Sequence, residues 1–224
     1  LALSGIDRFV VYSGVEQDLY PQIFSLPANK FDIVLWGIRP PEADMATPFE
    51  GGDYICAIGG NARDYETLVE AARQLPHMRF VLVVRPDSLQ GLHLPLNITV
   101  HVDLSYGAAM NVLKYSRFMV LPLANSSVPC GHVTLVAAMH LAKATIVTDS
   151  LGVRDYARDG DNALLVEAGS IESLITAISR LWENPLLCNR LAENGEKFAA
   201  SECTEDNIVE HFLGCIQNIN ARKV

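Results

Sequence analysis

Two short loops hold the residues whose types and spacing suit the grip of an anion. The first is Gly59-Gly60-Asn61-Ala62-Arg63-Asp64, and the second is Pro129-Cys130-Gly131-His132-Val133-Thr134. In the first, a glycine pair follows an apolar run directly, which permits a tight turn and close approach of a ligand to the backbone. Arg63 stands at the mouth of the next helix, where a guanidinium can hold a phosphate through two parallel hydrogen bonds. Asp64 is suited to cap that helix. In the second loop, Gly131, His132, Val133 and Thr134 lead into an apolar helix. Its first free N–H groups and its dipole favour an anion. Thr134 adds a hydroxyl, and His132 a ring able to contact phosphate or sugar. The first turns of that helix carry no acid and no base, so binding rather than proton transfer is the chemistry expected. A plainer reading competes: an ordinary strand-to-helix turn with a solvated Arg63, helix caps at Gly131 and Thr134, and His132 on the surface. No complete G-x-G-x-x-G accompanies the glycines.

The elements that must position these loops read as short apolar runs alternating with amphipathic stretches. Residues 8–13 and 32–38 suggest strands flanking a helix over 15–24. Residues 39–53, rich in proline, glycine and acids, read as a linker. After it come strands at 54–58, 79–84, 98–102, 118–123, 145–148 and 163–167. Helices are expected over 64–75, 105–116, the segment after Gly131, 170–183, 185–200 and 204–221. Ala137, Ala138 and Ala142 read as close-packing residues against the sheet. Six β runs separated by helices imply an α/β fold with a mostly parallel, doubly wound sheet. In the common order 3-2-1-4-5-6, ligands sit at the loops after the first and fourth strands. Those are the two loops above.

The 224 residues carry a net charge of −9, and half are hydrophobic. That suits one large domain or a little more and disfavours nucleic acid as a partner, since no basic stripe displaces phosphate counterions. Five cysteines, an odd number without a C-x-x-C pair, point to a reduced, cytoplasmic setting without zinc ligation. No apolar run reaches the roughly 20 residues of a membrane helix. The start lacks a methionine and a signal-peptide layout and reads as internal. His77, His93, His101 and His211 lack partners at ligand spacing and read as structural or solvated. Arg154 and Asp155 read as a surface pair, and Gly152 as a place where a backbone approaches a ligand. Cys130 reads as a buried, inert thiol. No G-x-S-x-G nucleophile elbow occurs.

From Tyr54 to about Ala221 the chain resembles the C-terminal lobe of GT-B-fold glycosyltransferases of the family-4, or group 1, type. The resemblance rests on the order and spacing of AIGGNARDYETLVEA, PCGHVTLVAAMHLAKATIVTDSLGVRDYARDGDNALLV and ENPLLCNRLAENGEKFA. It implies a Rossmann-like doubly wound parallel sheet of about six strands, plus a small N-terminal remnant. The implied division is 1–48, the end of an N-terminal lobe and linker; 49–203, the nucleotide-sugar-binding domain; and 204–224, a helix crossing back towards the N-terminal lobe. The implied activity is transfer of a sugar, of the hexosyltransferase class and with retention, from a nucleotide-sugar donor to an unidentified acceptor. This chain would supply the donor site. The donor is a substrate; no cofactor and no metal are expected. Much of the N-terminal lobe is expected to be missing, so the chain alone should be inactive, and any peripheral membrane contact would run through that absent lobe.

By resemblance the donor contacts are Gly59, Gly60, Arg63, Gly131, His132, Val133 and Thr134. Gly60 stands where the family has an arginine, and Arg63 falls at the family's lysine. The family's two glutamates, seven residues apart, fall on Pro129 and Ala137. No catalytic residue is assigned. The missing carboxylates keep a second reading open, a non-catalytic nucleotide-sugar-binding or scaffold module.

Overall fold

The computed structural model describes residues 2–42, 48, 50–124, 127 and 129–221. The first residue, part of the expected linker (43–47 and 49), part of the approach to the second loop (125, 126 and 128) and the last three residues lie outside them. The N-terminal part folds as β1 (Phe9–Val11), α1 (Gly14–Phe24) and β2 (Phe31–Ile33). Its two strands pair in parallel, with Phe9 stacked on Phe31 at 4.9 Å between ring centroids.

The main unit runs β3 (Ile55–Ile58), α2 (Tyr65–Gln74), β4 (Phe80–Val84), β5 (Ile98–Val102), α3 (Tyr106–Tyr115), β6 (Phe118–Leu121), α4 (His132–His140), β7 (Thr145–Thr148), β8 (Leu164–Val166), α5 (Ile171–Glu183), α6 (Pro185–Glu202) and α7 (Glu205–Ala221). Its sheet has six parallel strands in the order β5-β4-β3-β6-β7-β8. This is the expected order, with the chain reversing between β3 and β6.

Strand side chains alternate between two covered faces, which is why the strands read as unbroken apolar runs. Cys56, Ile58, Val81, Val83, Met119 and Leu121 face α3, α4 and Tyr156. Ile55, Ala57, Phe80, Leu82, Phe118 and Val120 face α2, α5 and the first half of α6. Phe80 and Phe118 are fully buried, so cutting either to alanine costs about 3–5 kcal/mol. The helix starts follow the side chains that cap them. Asp64 accepts from Thr67 N at 3.0 Å, Ser170 from Ser173 N at 3.2 Å and Asn184 from Leu187 N at 2.9 Å. Each cap contributes about 1 kcal/mol.

Several expected elements are shorter, for local reasons. Val34 N still donates to Val11 O of β1 at 3.0 Å, but beyond it the segment through Ile38 leaves the ladder as other groups take N–H donors. Trp36 N donates to the Tyr156 hydroxyl at 2.8 Å, and Ile38 N to Cys203 O at 3.1 Å. β6 stops at Leu121 because Pro122 has no N–H to give. β4 and β5 are joined by turns rather than a helix. Ala137 and Ala138 pack in the core, but Ala142 lies in the turn after α4 with φ 49°. The start of α7 crosses the 34–38 segment so closely that a Cβ on Gly37 would stand 2.1 Å from Thr204 O. No helix among the described residues is long and apolar enough to cross a membrane.

Candidate functional site

The parallel sheet places the β3–α2 and β6–α4 loops side by side at its C-terminal edge, where the strand order reverses. Backbone bonds tie them together: Asp64 N donates to Pro122 O at 3.0 Å, and Ala124 N to Ala62 O at 2.9 Å. Between them lies a cleft of about 440 Å³. All seven residues singled out in the sequence line it: Gly59, Gly60, Arg63, Gly131, His132, Val133 and Thr134.

Arg63 sits at the centre of the arrangement. Its Nε donates to Ile58 O at 3.3 Å, Nη1 to Asn61 O at 2.9 Å and Nη2 to Thr134 Oγ1 at 3.2 Å. These acceptors are neutral, and Arg63 makes no ion pair among the described residues. Burial pulls its pKa below the usual arginine range, and the Arg85 charge acts in the same direction. Gly59 has φ 118°, and a Cβ there would lie 2.7 Å from Arg63 Nη2. The glycine therefore makes room for the guanidinium as well as for a ligand. A Cβ on Gly60 would meet the Arg85 stem at 2.8 Å.

Gly131 enters α4 with φ 93°, and no side chain among the described residues caps that helix start. The first-turn N–H groups thus carry partial positive charge without a carboxylate or hydroxyl cap. Thr134 Oγ1 already accepts from Arg63 and keeps its own proton to donate. His132 lines the cleft, but its Nε2 lies 2.7 Å from Gly152 O and its ring stacks on Tyr156 at 4.8 Å. A carbonyl only accepts, so Nε2 carries the proton. Burial lowers the pKa of this ring, and His132 stands as a neutral, half-buried histidine rather than a surface cation. Burial likewise raises the Cys130 thiol despite Arg63 nearby; it is a protonated thiol.

Sequence reasoning passed over Tyr12, Trp36, Asn61 and Arg85, which line the same cleft. Arg85 Nη1 donates to Asn61 Oδ1 at 2.8 Å, so a second guanidinium is anchored at the rim. Its position at the end of β4 was the available signal. Tyr12 and Trp36 come from the N-terminal unit, and Trp36 Nε1 is buried without a partner among the described residues. The Tyr156 hydroxyl fixes them by accepting from Trp36 N and donating to Tyr12 O at 2.6 Å.

A second pocket of about 330 Å³, lined mostly by apolar side chains, adjoins the first and shares Gly59, Arg85, Val133 and Thr134 with it. Val83, Leu104, Met110 and Ala137 line it, with Asp103 as its acid. Other concavities, including a wider one of about 660 Å³ beside α6, hold none of the glycine-loop residues.

Two expectations about the 149–160 segment are corrected. Arg154 pairs with Asp149 at 2.8 Å, while Asp155 Oδ2 accepts from Gly14 N at 2.9 Å. The space at Gly152 serves the protein's own chain, since a Cβ there would lie 2.5 Å from Pro129 Cα. His101 and His211 also have partners. His101 Nε2 lies 2.6 Å from Glu50 Oε1, and His211 Nε2 lies 3.5 Å from Cys215 Sγ.

The family model described as "Glycosyl transferases group 1" matches residues 61–198, more than half of the chain. EpsD of Bacillus subtilis (strain 168) is 26% identical over 144 residues, 61% of this chain and 38% of that protein. The lipopolysaccharide core biosynthesis glycosyltransferase LpsE of Rhizobium meliloti (strain 1021) is 25% identical over 154 residues, 67% of this chain and 45% of that protein. The chain thus spans less than half the length of these two curated relatives. Among solved structures, Anabaena HepE in complex with UDP-glucose superimposes with a TM-score of 0.79 at 13% identity, covering 95% of this chain and 64% of that one.

Proposed function

This chain belongs to the glycosyl transferases of group 1, and from that premise we propose that it supplies the donor site of a glycosyltransferase, with a nucleoside-diphosphate sugar in the cleft between β3 and β6. One observation carries the reading: a half-buried guanidinium reaches both loops and meets only neutral acceptors. A diphosphate adds the missing anion. Gly59 and Gly60 let it approach, the uncapped start of α4 donates to it, and Arg85 adds charge. With two guanidiniums at hand, the phosphates need no metal. HepE's complex with UDP-glucose supports this ligand class.

The adjoining apolar pocket receives the nucleoside. Ala137 on its wall offers no acceptor, and Asp103, whose carboxylate has no partner among the described residues, takes the ribose hydroxyls. Transfer proceeds with retention. Arg63 and the α4 N-terminus stabilise the departing nucleotide, as preorganised donors do where charge develops. The acceptor binds mainly to the rest of the N-terminal lobe.

The second reading, binding without transfer, is favoured by Pro129 and Ala137 at the two glutamate positions. Pro129 is held against Gly152, which leaves that stretch no carboxylate to offer.

Thermal-shift measurements with UDP, GDP, ADP and their sugars test both. Stabilisation by one nucleotide family, weakened in Arg63→Ala and Asp103→Ala, supports the donor site. Binding with no turnover once the whole protein and an acceptor are supplied favours the second reading. No shift with any nucleotide refutes nucleotide binding in either reading and favours a scaffold module.

A further inference from the structure

Away from the cleft, α7 lays one turn of its surface against β2. His211 and Cys215, four residues apart, share a helix face, and Asp32 of β2 stands opposite. Cys215 Sγ lies 3.5 Å from His211 Nε2 and 3.6 Å from Asp32 Oδ2. The three ligand atoms all lie within 4.8 Å of one another, and all three residues are half-buried.

These separations can be set against a coordination shell. Zinc bonds of about 2.3 Å to sulfur and about 2.0–2.1 Å to nitrogen or oxygen, at tetrahedral angles, place the sulfur roughly 3.5–3.6 Å from each of the other two ligand atoms and those two roughly 3.3–3.4 Å apart. The sulfur already stands at that distance from both partners. From this geometry we infer that Asp32, His211 and Cys215 form a zinc-class metal site that fastens the crossing helix α7 to the N-terminal sheet.

The surrounding chemistry agrees. Arg8 Nη1 holds Asp32 Oδ1 at 3.0 Å and leaves Oδ2, the oxygen nearest the sulfur, for the metal. An outer partner of this kind orients a ligating carboxylate. Without a cation the thiol stays protonated, because burial and the Asp32 charge both raise its pKa. A divalent ion displaces that proton and joins thiolate, carboxylate and imidazole in one shell. Thiolate and imidazole select zinc over magnesium or calcium. A fourth tetrahedral position remains for a water. No residue of this cluster lines the donor cleft, so the inference stands apart from the proposed function.

The test uses the whole chain, freed of metal by chelator and then titrated with Co²⁺. One equivalent should produce a thiolate charge-transfer band, and Zn²⁺ should abolish it by displacing the cobalt. Cys215→Ala should remove the band. His211→Ala, which keeps the thiol, should weaken Co²⁺ binding by at least about tenfold. No band in the parent chain means a thiol that is merely hydrogen-bonded, and overturns the inference. A band that survives Cys215→Ala, or an unchanged affinity in His211→Ala, overturns it too.

Discussion

Arg63→Ala separates a phosphate grip from a structural arginine. The guanidinium makes three bonds, all to neutral acceptors, and is partly stripped of water. In the free protein its removal takes away modest bonds and also a desolvation cost, so the parent stability should change by less than about 1 kcal/mol. In the nucleotide complex the loss is of a charge-assisted bond, worth about 1.5–3 kcal/mol. That is roughly a tenfold to 150-fold loss of affinity. A ligand at a hundred times its Kd stabilises the fold by about 2.7 kcal/mol, which for a chain of this length raises Tm by about 5–11 °C. At the same concentration the variant should retain between about 0.3 and 1.4 kcal/mol, so the shift falls by half or nearly vanishes. Calorimetry with the diphosphate and with the bare nucleoside completes the assay, because the nucleoside should bind parent and variant alike. A variant that binds the diphosphate as tightly as the parent would refute the argument. So would an equal loss for nucleoside and diphosphate, since that would mean collapse of the site rather than loss of a charge.

The remaining predictions concern stability and pH. Gly152→Ala forces a Cβ to 2.5 Å from Pro129 Cα, and backbone cannot swing aside as a side-chain tip can; it should lower stability by about 1–3 kcal/mol in a urea titration, and an unchanged midpoint would contradict the packing. His132, held neutral by burial, contributes stability that is whole above the unfolded histidine value and is lost as pH falls through its lower folded value. Its ring resonances should therefore titrate below about 6.5, and a midpoint at or above that value would contradict the burial that holds the ring neutral. Burial alone would raise the Glu50 carboxyl, but hydrogen bonds from His101 and Arg79 outweigh it and leave the pKa lowered. Its stabilising effect is present above the unfolded carboxylate value, about 4.3, and fades as pH falls through the lower folded value. Glu50→Gln should therefore cost about 1–2 kcal/mol near neutral pH, with the gap to the parent closing in acid. A gap independent of pH would contradict this account.

Much of the fold was legible because its signals are local. Unbroken apolar runs in β3, β4 and β6 mark strands covered on both faces, and Asp64, Ser105 and Ser170 mark helix starts through bonds only three residues long. Those elements imply a doubly wound sheet, and a doubly wound sheet singles out the loops after β3 and β6. What no pattern could disclose is which distant groups meet. Arg63 and Thr134 are 71 residues apart, and Gly14 and Asp155 are 141 apart; the neighbouring charges of Arg154 and Asp155 suggested a pair that the structure does not make. His211 and Cys215 were readable as one turn of helix, but Asp32 lies 183 residues before Cys215. Periodicity and capping report a residue's own element, since they arise from backbone geometry over a few residues. Contacts between elements depend on crossovers and packing, and these settle whether a polar side chain faces a ligand, a carbonyl or another charge.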